Sequence, residues 1–281
     1  MGARLSPSGA STVSLGQTDS ASKIGIILKR HLLISLSNLL KSQFCHVMLM
    51  PEQSKRINSV AFQAVIFDMD GVLIDSEPLW HQAEQQILGG LDVDFNQPPL
   101  LQSTGLTTAS VIAHWYQHQP WPELTPAQVQ QRIIDFVATG IASQGNAKTG
   151  LPALLEAIAA QQLKIAVATN SPKLLLDTTL QRLNITHYFD ARCHLELVKQ
   201  GKPAPDIYLL AAKKLGVAPQ HCLVFEDSFA GVTAAKAAGM TVVAIPAAHE
   251  WHHSKFDIAD HKIRCFTEFD YQQWLQASAK E

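Results

Sequence analysis

Stretches of Val, Ile, Ala and Phe that do not alternate with polar residues recur along the chain at residues 62–67, 164–168, 189–193, 221–225 and 240–245. Strands covered on both faces read this way, whereas half-exposed strands alternate. Between them lie segments with apolar residues at helical spacing, at 152–160, 172–183, 205–215 and 229–238. Pro152, Pro172 and Pro205 suit the first turn of a helix, and Gly216 and Gly239 suit the position just past its end. Strand and helix in alternation, joined by right-handed crossovers, predict an α/β fold with a three-layer parallel-sheet core.

One interval breaks this rhythm. Residues 78–148 carry helical spacing at Leu79, Ala83 and Ile87 and again at Ile133, Ile134 and Val137, with Pro98-Pro99 and Pro120-Trp121-Pro122 as breaks. We read them as a helical cap inserted after the first strand, leaving 59–77 and 149–281 as the core. Residues 1–58 differ from both: a Ser-rich start is followed by Lys23, Lys29, Arg30 and Lys41 around a Leu-rich segment, opposed only by Asp19 and Glu52. They are expected to be a poorly ordered extension, or sequence ahead of a true start at Met48 or Met50. The apolar stretch at 32–40 is far shorter than the ~20 residues that span a bilayer. No small-residue cleavage site follows it, so export is not expected.

The 281 residues allow one sizeable core plus a smaller module, and a formal charge of -2 argues against a nucleic-acid partner, which needs concentrated Lys and Arg. A small polar ligand and a monomer are expected. Cys45, Cys193, Cys222 and Cys265 show no paired spacing, which suits reduced thiols and a cytoplasmic protein rather than a disulfide framework or zinc site.

The chemistry concentrates just after the strands, where open parallel sheets bind ligands. Asp68 and Asp70 follow the first strand, Thr169-Asn170-Ser171 the second, Glu226-Asp227 the fourth, and Lys202 lies in the loop beyond the third. Unpartnered carboxylates at a buried strand end are costly, so a cation or a reactive ligand is expected there. Asp68, Asp70 and Asp227 offer hard oxygen donors suited to Mg²⁺, Lys202 a compact positive charge, and Thr169 a hydroxyl. The amides from Asn170 onward lead into a helix N-terminus that favours an anion. A phosphate ester fits such a pocket. Asp68 is the better candidate to attack phosphorus, and Asp70 to protonate the leaving alkoxide and then activate water.

Four segments carry a family resemblance in order: Asp68-Met69-Asp70-Gly71 continuing through Asp75-Ser76, Thr169-Asn170-Ser171, Gly201-Lys202-Pro203 continuing to Asp206, and Glu226-Asp227-Ser228 with Gly231. Together they resemble the motifs of haloacid dehalogenase-like hydrolases over about residues 62–275. The resemblance implies a Rossmann-like core. It implies Asp68 as nucleophile, Asp70 as general acid/base, and phosphate binding by Asp68, Met69, Asp70, Thr169, Asn170 and Lys202. It also implies Mg²⁺ held by Asp68, the Asp70 main-chain carbonyl and Asp227, with Glu226 supporting the metal. Within the superfamily, Asp75-Ser76-Glu77-Pro78-Leu79-Trp80 and His114-Trp115-Tyr116-Gln117-His118-Gln119-Pro120-Trp121 look like bacterial hexitol phosphatases, also called 2-deoxyglucose-6-phosphate phosphatases. A phosphorylated sugar or sugar alcohol is the substrate this implies. Thr169-Asn170 departs from the Ser and small apolar residue of many relatives, but Thr keeps the hydroxyl.

Two other functions compete. A phosphomutase of the β-phosphoglucomutase kind would return the phosphoryl group to a sugar. Against it, Trp80 stands where those enzymes carry a His and Thr108 where they carry a phosphate-binding Arg. A silent phospho-ligand sensor would not need the full set of Asp68, Asp70, Thr169, Lys202 and Asp227. Taken singly, Asp68 and Asp70 are also explained by a solvated turn, Lys202 by a surface amine, Glu226-Asp227 by charges at a helix start, and Thr169 by helix capping. His249-Glu250-Trp251-His252-His253 matches a zinc-peptidase pattern, yet it follows the last strand directly, with no long helix to present both imidazoles. A solvated loop is expected. Trp115, Tyr116 and Trp121 are read as packing residues rather than a substrate platform.

Overall fold

The computed structural model describes residues 62–96 and 105–276. The expectation for residues 1–58 lies outside them. Six parallel strands form one sheet: β1 (Ala64–Phe67), β2 (Lys164–Ala168), β3 (Ala191–Cys193), β4 (Cys222–Glu226), β5 (Thr241–Ala244) and β6 (His261–Lys262), in the order β3-β2-β1-β4-β5-β6. β1 runs up the middle. Successive residues of β1 face opposite sides, and both sides are buried: Val65 and Phe67 join one core, Ala64 and Ile66 the other. That double burial is why the strand sequences show no alternation.

The two cores differ in grain. One holds an aromatic knot in which Phe67 stacks on Phe225 at 5.1 Å, with Phe266 and Phe269 edge-on to Phe225. The other is lined by Ala64, Ala166, Ala168 and Ala211, small enough to seat α6 (Asp206–Leu215) close on the sheet. The remaining helices after β1 are α1 (Glu77–Ile87), α2 (Thr108–His118), α3 (Pro126–Gln144), α4 (Leu151–Ala160), α5 (Lys173–Arg182), α7 (Phe229–Ala237) and the short α8 (Tyr271–Gln276). α3 opens with a full capping box in which Thr125 and Gln128 satisfy each other's main-chain N–H groups. It packs against α1, α2 and α5.

The sequence expectations of strand at 62–63, 189–190 and 245 prove to be flanking loop, and β6 and α8 lie beyond the elements expected. The two chain crossings between β1 and the inserted helices pair with each other. Ile74 bridges Ala147, Lys148 N–H donates to the Leu73 carbonyl at 3.0 Å, and the Lys148 ammonium lies 3.5 Å from Asp75. Among the described residues no helix is long and apolar enough to cross a membrane.

Candidate active site

The strand order reverses direction at β1, and the side chains singled out in the sequence meet above its carboxyl end. Asp68, Asp70, Thr169, Asn170, Lys202 and Asp227 all line one cavity, with Gly71, Ser76, Trp80 and Ser171 among the other walls. Met69 does not line it. Its side chain is fully buried, and its carbonyl closes the turn by accepting from the N–H of Val72, Leu73 and Ile74, so only its main-chain N–H is left for a ligand.

Lys202 is the electrostatic centre. Its ammonium donates to Asp68 Oδ1 at 2.6 Å and to Glu226 Oε1 at 2.5 Å, and all three side chains are buried. Burial acts to lower the Lys202 pKa, and the carboxylates of Asp68 and Glu226 more than reverse it, so the amine stays charged. Burial raises the Asp68 pKa despite Lys202, with Glu226 and Asp70 adding repulsion. Asp227 is raised for the same reasons, burial first and Glu226 and Asp68 next. One ammonium does not neutralise this many carboxylates.

Asp68, Glu226 and Asp227 bring carboxylate oxygens within 4.8 Å of one another, the one such group of possible metal ligands among the described residues. They do not contribute equally. Glu226 Oε1 already accepts from Lys202 and from the Tyr208 hydroxyl at 2.8 Å, and Oε2 accepts from the Ser228 N–H at 2.9 Å and hydroxyl at 3.1 Å. Its four acceptor positions are filled. Asp227, by contrast, receives no hydrogen bond from any described residue, and Asp68 receives one on Oδ1 only. An all-oxygen, partly desolvated pair with open lone pairs fits a hard divalent cation, with Asp68 and Asp227 as its side-chain ligands.

Two glycines are forced by this crowding. A Cβ on Gly231 would lie 1.7 Å from Glu226 Oε1, so only Gly lets α7 start against that carboxylate. Gly71 sits at φ +73°, and a Cβ there would fall 1.9 Å from Asp227 Oδ2. We expect Gly71→Ala to destabilise the protein by about 1–3 kcal/mol and to push Asp227 out of place. Urea denaturation with and without a divalent cation checks it: the variant should gain less from the ion than the parent.

Asp70 is held by residues to which sequence reasoning assigned no role. Ser76 donates to Oδ1 at 2.5 Å, the Trp80 indole N–H donates to the same oxygen at 3.0 Å, and Ser171 donates to Oδ2 at 2.6 Å. Ser76 occupies the N-cap of α1 but makes no cap bond, because its hydroxyl goes to Asp70. A good capping residue that does not cap is the one sign of this in the sequence.

Asn170 turns out to be a clamp. Its amide donates to the carbonyls of Gly105 at 3.0 Å and Lys202 at 3.3 Å, and its Oδ1 accepts from the Lys202 N–H at 2.9 Å. The side chain fixes the lysine loop, which leaves the Asn170 main-chain N–H as its group for an anion. Thr169 Oγ1 accepts from the Ser171 N–H at 3.0 Å and keeps its own proton for a ligand.

A haloacid dehalogenase-like hydrolase family model matches residues 62–239. The chain belongs to this family. Hexitol phosphatase B of Escherichia coli is 38% identical over 216 residues, covering 75% of this chain and 96% of that protein. Among solved structures, CbbY from Rhodobacter sphaeroides in complex with phosphate aligns with TM-score 0.67 and 26% identity, over 74% of this chain and 96% of that one. β-Phosphoglucomutase from Clostridium difficile aligns with TM-score 0.67 at 21% identity, over 78% and 97% respectively, a likeness of fold. As a member of this hydrolase family with phosphatase relatives, the chain is a phosphatase, and the parallel Rossmann-like core is the family's.

The zinc-peptidase pattern dissolves in the same structure. His249 and Glu250 lie in a single 3₁₀ turn, Glu250 pairs with Lys255, and His253 Nδ1 accepts from the Lys255 N–H. Trp115 and Trp121 are buried away from the cavity, as packing residues should be, whereas Tyr116 is exposed with its ring against Trp121.

Proposed function

We propose that this protein is a Mg²⁺-dependent phosphatase of small sugar or sugar-alcohol phosphates, of the hexitol phosphate or 2-deoxyglucose 6-phosphate type. The observation that carries the reading is the open carboxylate pair of Asp68 and Asp227 beside the buried Lys202, with Asp70 aimed into the same cavity. An Asp68 oxygen attacks phosphorus while the ester P–O bond breaks, and Asp70 gives its proton to the leaving alkoxide. Water then attacks the aspartyl phosphate, losing a proton to Asp70 and releasing phosphate and free Asp68. Asp68, the Asp70 main-chain carbonyl and Asp227 would hold Mg²⁺, which would supply positive charge against the phosphoryl oxygens. Lys202, the Thr169 hydroxyl and the free N–H groups of Met69 and Asn170 hold those oxygens. Residues 78–148 act as a cap over a core made of 59–77 and 149–281, in a cytoplasmic monomer.

Phosphate release from a panel of hexitol, hexose and pentose phosphates tests this. We expect turnover on hexitol or deoxyhexose phosphates with Mg²⁺ and loss of it with EDTA. Isomerised sugar phosphate without free phosphate would mark a mutase instead, and no turnover on any member would end the enzyme reading.

A further inference from the structure

The cavity has two chemically different ends. Its floor holds the acids, the hydroxyls and Lys202. The rest of its lining comes from one face of α1 and the segment running into α2: Glu77, His81, Glu84, Leu106, Thr108 and Val111. Glu77 and Glu84 are seven residues apart, two helical turns, which places both on the cavity side of α1 together with Trp80. Trp80 fixes the register of that face by its indole hydrogen bond to Asp70. Glu84 therefore lies one turn, about 6 Å of helix rise, beyond the group that touches the acid/base.

The Glu84 carboxylate is half-buried, and no described residue hydrogen-bonds to it. Burial alone pushes its pKa up to about 7. A desolvated carboxylate without donors is costly to keep, so a ligand that supplies donors gains there. Those donors have to be uncharged groups of a phosphate ester. Lys202 is the only Lys or Arg among the described lining residues, and it is committed to Asp68 and Glu226 at the floor. A second phosphate or a carboxylate at the far end would meet Glu77 and Glu84 with no Lys or Arg among the described residues beside them.

We propose that Glu84 is the specificity-determining residue of the cavity: it accepts hydrogen bonds from hydroxyls of an uncharged polyol tail and excludes phosphate esters whose tail carries a second anion. The inference rests on the phosphatase reading above and refines it. It separates hexitol and hexose monophosphates from bisphosphates and phospho-acids by the chemistry of the leaving group.

The test compares three probes on the full chain with Mg²⁺: sorbitol 6-phosphate, whose tail carries hydroxyls; p-nitrophenyl phosphate, whose tail carries none; and fructose 1,6-bisphosphate. Glu84→Leu should lower kcat/KM on sorbitol 6-phosphate by about 10- to 100-fold. On p-nitrophenyl phosphate it should stay within about twofold, which also shows that the variant is folded. Glu84→Gln, retaining one acceptor, should fall between, and Glu84→Lys should raise fructose 1,6-bisphosphate relative to sorbitol 6-phosphate. Parallel losses on the first two probes, or an unchanged rate on sorbitol 6-phosphate, would overturn the proposal. A parent protein that cleaves p-nitrophenyl phosphate but no polyol phosphate would overturn this proposal alone. One that cleaves neither would remove the phosphatase reading and this proposal with it.

Discussion

Asp68→Ala should lose phosphatase turnover by about 10⁴-fold or more, and no phosphorylated protein should accumulate on rapid acid quench. The size follows from what the substitution removes. Asp68 is the one carboxylate that both contacts Lys202 and keeps an open oxygen at the cavity floor. Glu226 is saturated by Lys202, Tyr208 and Ser228, and Asp70 is occupied by Ser76, Trp80 and Ser171. Asp70→Asn is the informative partner variant. Asn keeps an oxygen for Ser76 and Trp80, and its amide can donate to a rotated Ser171 hydroxyl, so the cavity should keep its shape. Its turnover should fall by about 10²- to 10⁴-fold while inorganic phosphate still binds as a competitive ligand. Mass spectrometry of the quenched protein and steady-state phosphate release check both. Full activity in Asp68→Ala would remove it as nucleophile.

Much of this site was legible because its parts sit at fixed points of a regular architecture. A strand buried on both faces writes itself as an unbroken apolar run, and the first polar residue after it marks the sheet edge, as Asp68, Thr169 and Glu226 do. What was not legible depends on contacts between distant segments. Ser171 and Asp70 are 101 positions apart, and neither sequence neighbourhood announces the bond. The Lys202 main chain is fixed by Asn170, 32 residues away, through a side-chain amide for which the sequence reading named no such partner. Glu226 entered as a support for the metal through the family resemblance alone. Its saturation by Lys202, Tyr208 and Ser228 becomes visible only when α6 and α7 are seated on the sheet. β6 was missed for a simpler reason: His261-Lys262 is two polar residues long and has no period to read.

Lys202→Met should be the most destabilising of the site substitutions, by about 3–5 kcal/mol in the metal-free protein, because it leaves buried carboxylates without their cation. Methionine fills nearly the same space, so the loss would report charge and not a cavity. Asp68, Glu226 and Asp227 would then face one another within 4.8 Å, and unit charges at about 4 Å repel by roughly 4 kcal/mol per pair at an effective dielectric of 20. The fold's answer is to take up protons. Asp68 and Asp227 already have folded-state pKa values above their unfolded ones, by burial first. Removing Lys202, which opposes that rise, moves both further up. A folded state that binds more protons than the unfolded one loses stability as pH rises between the two pKa values. The variant should therefore fall in Tm from pH 5.5 to pH 8 by more than the parent does, with EDTA present in both. Saturating Mg²⁺ should restore part of the difference at pH 8, since an ion that binds only the folded state stabilises it by mass action. Equal pH slopes in parent and variant would show that Lys202 does not hold the charge balance of the site.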